Sequence, residues 1–310
     1  MTSKKILSPL FVCLGLAPAC AQTPPPVESE PEPSTSQRYL AQKPPSREPE
    51  LFAPDLVSKP DRHEFGSTFS ADGLEFFFSV SLRGRSETYS MTFEDDDWGP
   101  PQKILSHETF GFNDPMLNPK GDRLYFISNR PHDDSTQKRD HDIWYVEREG
   151  NGWSAPINAG PAINSPREEY YISFTTNGDL YFGSNVEAPE QRRGDFDLYV
   201  SRSEDGVQQP RQRLLGDINT TAYEADVFVA LDGSYAIFSA ERPDGLGRGD
   251  LYISFASEDG SWSEAKNLGA PFNGRGHELC PFVTADGKYF FYTSNGDIYW
   301  ADASILETYR

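Results

Sequence analysis

Four glutamates stand at matching places in this chain. Glu64, Glu169, Glu224 and Glu278 each lie nine residues before a glycine that ends a turn-like run (Gly73, Gly178, Gly233 and Gly287), and Phe112 holds the fifth such place before Gly121. A ring of carboxylates at the mouth of a channel could take up a cation or a basic peptide segment. With two acids at a suitable separation, it could also hydrolyse a glycosidic bond, for which Glu169, Glu224, Asp226 and Glu278 are the candidates. A catalytic pair, however, needs two different environments to separate its pKa values, and acids that recur in register argue for architecture instead: a loop backbone or a neighbouring arginine held by each carboxylate. No catalytic residue is therefore assigned. The ligand candidates at the expected channel mouth are Glu64, Glu169, Glu224, Asp226, His277 and Glu278.

Other chemistries find little support. The histidines (His63, His107, His132, His141 and His277) show no zinc spacing. Asp140/Asp142 and Asp195/Asp197 lack the ligand set and closing bidentate glutamate of a hand-type calcium loop. Neither a metal nor a cofactor is expected, for there is also no Gly-x-Ser-x-Gly elbow, phosphate loop or dinucleotide fingerprint. Cys280 falls in an expected inner strand and reads as buried and inert. Arg83-Gly84-Arg85, Gln191-Arg192-Arg193-Gly194 and the Arg242 to Arg248 stretch put positive charge into inter-strand loops, where it can pair with acids or form a contact surface.

The elements that would position these residues come from a repeat. Five segments align: Phe69-Ser70-Ala71-Asp72-Gly73, Leu117-Asn118-Pro119-Lys120-Gly121, Phe174-Thr175-Thr176-Asn177-Gly178, Val229-Ala230-Leu231-Asp232-Gly233 and Val283-Thr284-Ala285-Asp286-Gly287, each followed by an apolar-aromatic run ending near a serine. Each reads as strand, tight turn, strand, with Asp-Gly or Asn-Gly tolerating positive φ. Third strands open at Glu87, Asp142, Asp197, Asp250 and Asp297, and fourth strands follow near Trp98, Trp153, Pro210 and Trp262. The recurring aspartates read as loop-building hydrogen-bond acceptors. Four antiparallel strands per unit make a propeller blade. The last unit lacks its fourth strand while Leu51 to Val57 precedes the first unit as an orphan. The expected fold is thus an all-β propeller of about five four-stranded blades over residues 51–310, closed by an N-terminal strand joining the C-terminal blade.

The elements Phe-Ser-x-Asp-Gly, Phe126-Ile127-Ser128-Asn129-Arg130 and Asp-Ile/Leu-Tyr/Trp resemble the WD-like β-propeller repeat of the TolB-like family over roughly residues 51 to 302. That family usually carries six blades, so six is the alternative count. The resemblance implies an envelope binding scaffold for proteins or other ligands, with no catalysis, and a glycoside-hydrolase-like propeller is the alternative.

The N-terminus and charge bound the setting. Lys4 and Lys5, the apolar Ile6 to Leu16 and the small residues Ala17 to Ala21 read as a signal peptide over residues 1–21. Leu16-Ala17-Pro18-Ala19-Cys20 is similar to a bacterial lipobox, which makes Cys20 a lipidation candidate; ordinary cleavage after Ala19 or Ala21 is the alternative. Residues 22–50, rich in Pro, Glu, Ser and Gln, read as a disordered tether. The expected location is extracytoplasmic, as a periplasmic or outer-membrane-anchored lipoprotein or a secreted protein. The net charge of −20 repels phosphate backbones and anionic headgroups. The expected partner is an envelope protein or a glycan, with no nucleic acid, membrane contact only through an acylated Cys20, and a monomeric chain.

Overall fold

The computed structural model describes residues 37–310 except 133–136, 138 and 193. The expected signal peptide, Cys20 and residues 22–36 of the expected tether lie outside them.

Five antiparallel sheets follow one another along the chain as five propeller blades. The inner strands are His63–Phe69, Asn113–Leu117, Glu169–Phe174, Glu224–Val229 and Glu278–Val283. Each pairs with a second strand beginning at Glu75, Arg123, Leu180, Tyr235 or Tyr289, then with a third beginning at Arg85, Asp142, Asp197, Asp250 or Asp297. Gln102–Leu105, Ile157–Asn158, Gln212–Arg213 and Lys266–Asn267 add the fourth strands of blades one to four. In blade five the fourth strand is Glu50–Leu51, with Glu50 opposite Trp300 and Leu51 opposite Tyr299. The ring therefore closes with five blades and not six, through an N-terminal strand as expected, but that strand is Glu50–Leu51 and not Leu51 to Val57, whose remaining residues run through bends and turns.

Stacked blades bury both faces of their middle strands, so these strands read as apolar runs without alternation. Phe76, Phe77 and Phe78 are successive residues and all three are buried. Phe52, next to the closing strand, meets Phe291 and Trp300 of blade five at 5.0 and 5.1 Å and Phe69 and Phe76 of blade one at 6.0 and 5.3 Å between ring centroids. One aromatic side chain thus joins the first and last blades.

Two expectations need correction. The hairpin turns are not two-residue turns with both residues at positive φ: in each, the glycine N–H donates to the carbonyl three residues back (Gly73 to Ser70, Gly121 to Asn118, Gly178 to Thr175, Gly233 to Ala230, Gly287 to Thr284) and only the glycine is left-handed. This is a type I turn followed by a left-handed glycine, in a three-residue loop in blade three and a four-residue loop in the other blades. The folded body also begins before residue 51. Tyr39 and Leu40 are buried, Tyr39 packs edge-on against Phe69 and Tyr289 at 5.1 and 5.0 Å, and the Trp98 indole donates to the Gln37 carbonyl at 2.7 Å. Two apolar side chains in an otherwise polar stretch suffice to lay it on the propeller.

Candidate functional site

All five inner strands carry a bulge at the same place. Register slips between Phe65 and Ser67, Asn113 and Met116, Tyr170 and Ile172, Ala225 and Phe228, and Leu279 and Phe282. At each slip one residue takes a left-handed conformation: Gly66, Asp114, Tyr171, Asp226 and Cys280, with φ between 51° and 55°. A bulge re-aims a side chain and is a frequent companion of functional sites, and left-handed backbone in a tyrosine or cysteine is a strained state that the surrounding fold must hold.

These five residues come together across the central channel. The Cys280 thiol donates to Asp114 Oδ1 at 3.3 Å, the Tyr171 hydroxyl donates to the Pro281 carbonyl at 2.7 Å, and a Cβ on Gly66 would run into the Asp114 carboxylate. Asp114 and Asp226 are 6% and 8% exposed. Burial pushes both carboxyls above the ordinary range, and the Asp226 charge raises Asp114 further. Burial, with both aspartates adding to it, holds the Cys280 thiol far above its ordinary value, which accords with an inert thiol.

Above this layer lies a cavity of about 460 Å³ lined by Phe65, Asn113, Asp114, Tyr170, Phe196, Tyr223, Ala225, Asp226, Leu279 and Cys280. Its rim is a run of rings in contact: Tyr170 on Phe196 at 5.5 Å, Phe196 on Tyr223 at 6.0 Å and Tyr223 on His277 at 5.9 Å. Behind Tyr170, its hydroxyl and Glu168 both reach His141 Nδ1, at 2.8 and 2.7 Å. The opposite, turn-bearing end holds a larger cavity of about 620 Å³ lined by Phe69, Met116, Phe174, Phe228 and Phe282; its buried hydroxyls, Thr68 and Ser173, are engaged by Met116 Sδ and the Val227 carbonyl, and no buried carboxylate lines it to orient a ligand.

Of the sequence candidates, Asp226 lines the cup and His277 stands at its edge, its Nε2 3.2 Å from Ser239 Oγ. The four glutamates do not line it. Each is buried and turned into the loop that precedes its own strand. Glu169 accepts from Ser165 N at 3.0 Å, Ser165 Oγ at 2.6 Å and Ser184 Oγ at 2.9 Å. Glu224 accepts from Thr220 N at 3.0 Å, Thr220 Oγ1 at 2.5 Å and Arg242 Nη2 at 3.4 Å. Glu278 accepts from Gly274 N at 3.1 Å and Ser294 Oγ at 2.9 Å, and Glu64 from Lys59 N at 3.3 Å and from Arg62. Burial raises Glu64, Glu169 and Glu224, Glu169 to about 7. This is the loop-holding alternative that the sequence left open. The recurring aspartates act likewise: Asp250 accepts from Leu246 N and Gly247 N at 2.6 and 2.9 Å, and Asp197 binds Arg213 at 2.6 Å.

Two sets of residues escaped the sequence reading. One is the asparagine five residues before three of these glutamates: Asn164, Asn219 and Asn273 each accept from the N–H of Ile143, Leu198 or Leu251 and donate back to the same residue's carbonyl. Ile163-Asn164, Ile218-Asn219 and Phe272-Asn273 would have shown them. The other is the bulge set itself. It sits two residues after the glutamate column, and its signal is a column whose type changes from blade to blade.

Comparisons with known proteins bear on the fold. No family model matches the chain, and no curated protein does. Among solved structures, the chain is similar to a protein of unknown function from Dyadobacter fermentans at 14% identity and a TM-score of 0.53, covering 84% of each chain. A putative TolB from Agrobacterium tumefaciens matches at 14% identity and 0.47, over 77% of this chain and 72% of that one. A gluconolactonase from Xanthomonas campestris matches at 12% and 0.46, over 76% and 70%. At such identities the likeness concerns the propeller alone.

Proposed function

We propose that this chain is a non-catalytic binding module of a bacterial cell envelope, whose ligand seat is the cup over Asp114 and Asp226. The observation that carries the reading is the blind floor: hydrogen bonds from Cys280 to Asp114 and from Tyr171 to Pro281 cross the channel beneath a cup rimmed by Tyr170, Phe196 and Tyr223. A preformed concave seat with aromatic walls and a few buried polar groups suits binding. Asp114 and Asp226 share one buried layer and are both shifted upward, whereas hydrolysis asks for two carboxyls of unlike environment. In this reading the N-terminal signal exports the chain and is cleaved before Cys20, which becomes the first residue and carries the lipid anchor. Among the described residues no helix is long and apolar enough to cross a membrane.

The test is a thermal-shift screen of the full chain, with Tyr223→Ala beside it, against neutral glycans, amines and short peptides, together with a hydrolysis assay on chromogenic glycosides. The expected result is a ligand that raises Tm in the parent and not in Tyr223→Ala, with no turnover. Glycoside hydrolysis that vanishes in Asp226→Asn would overturn the reading in favour of an enzyme. Intact mass of the membrane-fraction protein should show a diacyl or triacyl chain on Cys20; an unmodified soluble chain would remove the anchor.

A further inference from the structure

The floor of the cup is short of hydrogen-bond donors. An ionised carboxylate offers about four lone-pair sites, yet Asp114 has only the thiol of Cys280 against it, at 3.3 Å. Asp226, more than nine-tenths buried, faces only the main-chain N–H of Cys280 and the charge of His277. Among the described residues neither takes part in an ion pair with lysine or arginine, and none of the cavity's lining residues is basic. Other buried acids of this protein have more donors: Glu224 pairs with Arg242, Glu64 pairs with Arg62, and Glu169 accepts three hydrogen bonds from Ser165 and Ser184. Two buried carboxylates left under-satisfied cost stability, and such a cost persists at sites where a ligand supplies what is missing.

The walls narrow the ligand further. Phe65, Tyr170, Phe196 and Tyr223 surround the carboxylates with ring faces and edges, which attract a cation and accept an apolar stem. The two rim tyrosines feel the aspartates: burial first, then carboxylate charges that include Asp226, holds Tyr170 and Tyr223 above their ordinary values as phenols. The cup is therefore electronegative within a chain of net charge −20, which concentrates cations. A metal ion is poorly served, since among the described residues no three histidine, cysteine or carboxylate groups converge.

Resting on the binding reading above, we infer that the cup takes a protonated alkyl amine, its ammonium donating to Asp114 and Asp226 and its stem lying among Phe65, Tyr170, Phe196 and Tyr223. The same chemistry is offered by a free amine and by a lysine side chain of a peptide, and the probes separate them.

Calorimetric titration of the full chain at pH 7.5 would use butylammonium chloride, Nα-acetyl-lysine methylamide, the neutral isostere Nα-acetyl-norleucine methylamide, and tetramethylammonium, which lacks N–H donors. Saturable binding of the first two is expected, with tetramethylammonium weaker and the norleucine compound silent. Tighter binding of the lysine derivative would assign a peptide as source, and tighter binding of butylammonium a free amine. Asp226→Asn should weaken binding by about tenfold or more while raising Tm, so that loss of binding is not loss of fold. Lowering the pH from 7.5 to 5 should weaken it too, as the Asp114 carboxyl, pushed up to about 7 by burial, takes up a proton; His277 at the edge and His141 beside Glu168 behind Tyr170 also face the site, while Cys280, Tyr170, Tyr171 and Tyr223, all raised by burial, stay neutral. Equal binding of the norleucine isostere, or ammonium binding untouched by Asp226→Asn, would overturn the assignment. If a neutral or anionic ligand shifts the parent and not Tyr223→Ala while both ammonium probes fail, the amine is wrong and the binding seat stands; if nothing responds to Tyr223→Ala, both fall.

Discussion

Asp226 illustrates how one side chain can weaken a fold at neutral pH. Its carboxyl, like that of Asp114, is raised by burial, so the folded chain holds these protons more tightly than the unfolded chain does. The sign follows from linkage: a raised acid favours the folded state where it is protonated, and stability is lost as pH rises from the ordinary carboxylate range through the folded value. Asp226→Asn should therefore raise Tm, with a wider gap from the parent at pH 8 than at pH 5, in paired melts across that range. A variant that melts lower than the parent at pH 8 would show the carboxylate to be satisfied by the fold. Glu169, raised to about 7 by burial, belongs to the same class, although three hydrogen bonds from Ser165 and Ser184 offset part of its burial. A stabilising change that empties a ligand seat is a familiar trade between stability and function.

At the scale of elements, the unit that repeats is a loop locked at both ends. In blade four, Asn219 grips both main-chain groups of Leu198 in the preceding blade, while Glu224 gathers Thr220 and Arg242. Glu224→Ala would leave the Thr220 N–H without its acceptor and Arg242 without its charge partner, at a cost of about 2–4 kcal/mol, read from urea unfolding; a cost below about 0.5 kcal/mol would show that the loop holds without it. The glutamate column was legible because a structural duty performed alike in four of the five blades leaves the same residue behind. The cup was not, for the opposite reason. Gly66, Asp114, Tyr171, Asp226 and Cys280 share a backbone conformation and no chemistry, so they do not align by type. Their inward aim depends on a bulge that adds one residue to the strand, and simple alternation from Glu224 hides it. The repeat count could be read from Gly73, Gly121, Gly178, Gly233 and Gly287, each at a left-handed turn position that favours glycine, and the closing strand from the fourth strand missing in the last unit beside the orphan that begins at Leu51.

For the whole molecule, closure depends on a short contact. The closing strand pairs through Glu50 and Leu51, with the Phe52 N–H on the Ile298 carbonyl at 2.9 Å and the Asp302 N–H on the Ser46 carbonyl at 2.8 Å, a short ladder that side chains reinforce, Phe52 above all. It is fully buried among Phe69, Phe76, Phe291 and Trp300. Phe52→Ala should cost about 3–5 kcal/mol and increase proteolysis at the seam between blades one and five, seen as cleavage sites by mass spectrometry. Cleavage spread evenly over all blades, or a loss under 1 kcal/mol, would show the ring to be held elsewhere.

The pairing of Glu50 with Trp300 also sets an order of events. The first strand to leave the ribosome finds its partner only when some 250 further residues have followed, so this contact has nearly the greatest sequence separation the chain allows, and contacts of that kind form slowly. Blades one to four can complete their own sheets from contiguous chain, while blade five must wait for the N-terminal strand with its outer edge unpaired. Until blades one and five meet, through this pairing and through the Glu64 N–H on the Gly296 carbonyl at 2.9 Å, the ring is open and the blades that bring Gly66 and Cys280 together stand apart. The amine seat thus comes into being only at ring closure, when the first and last blades meet.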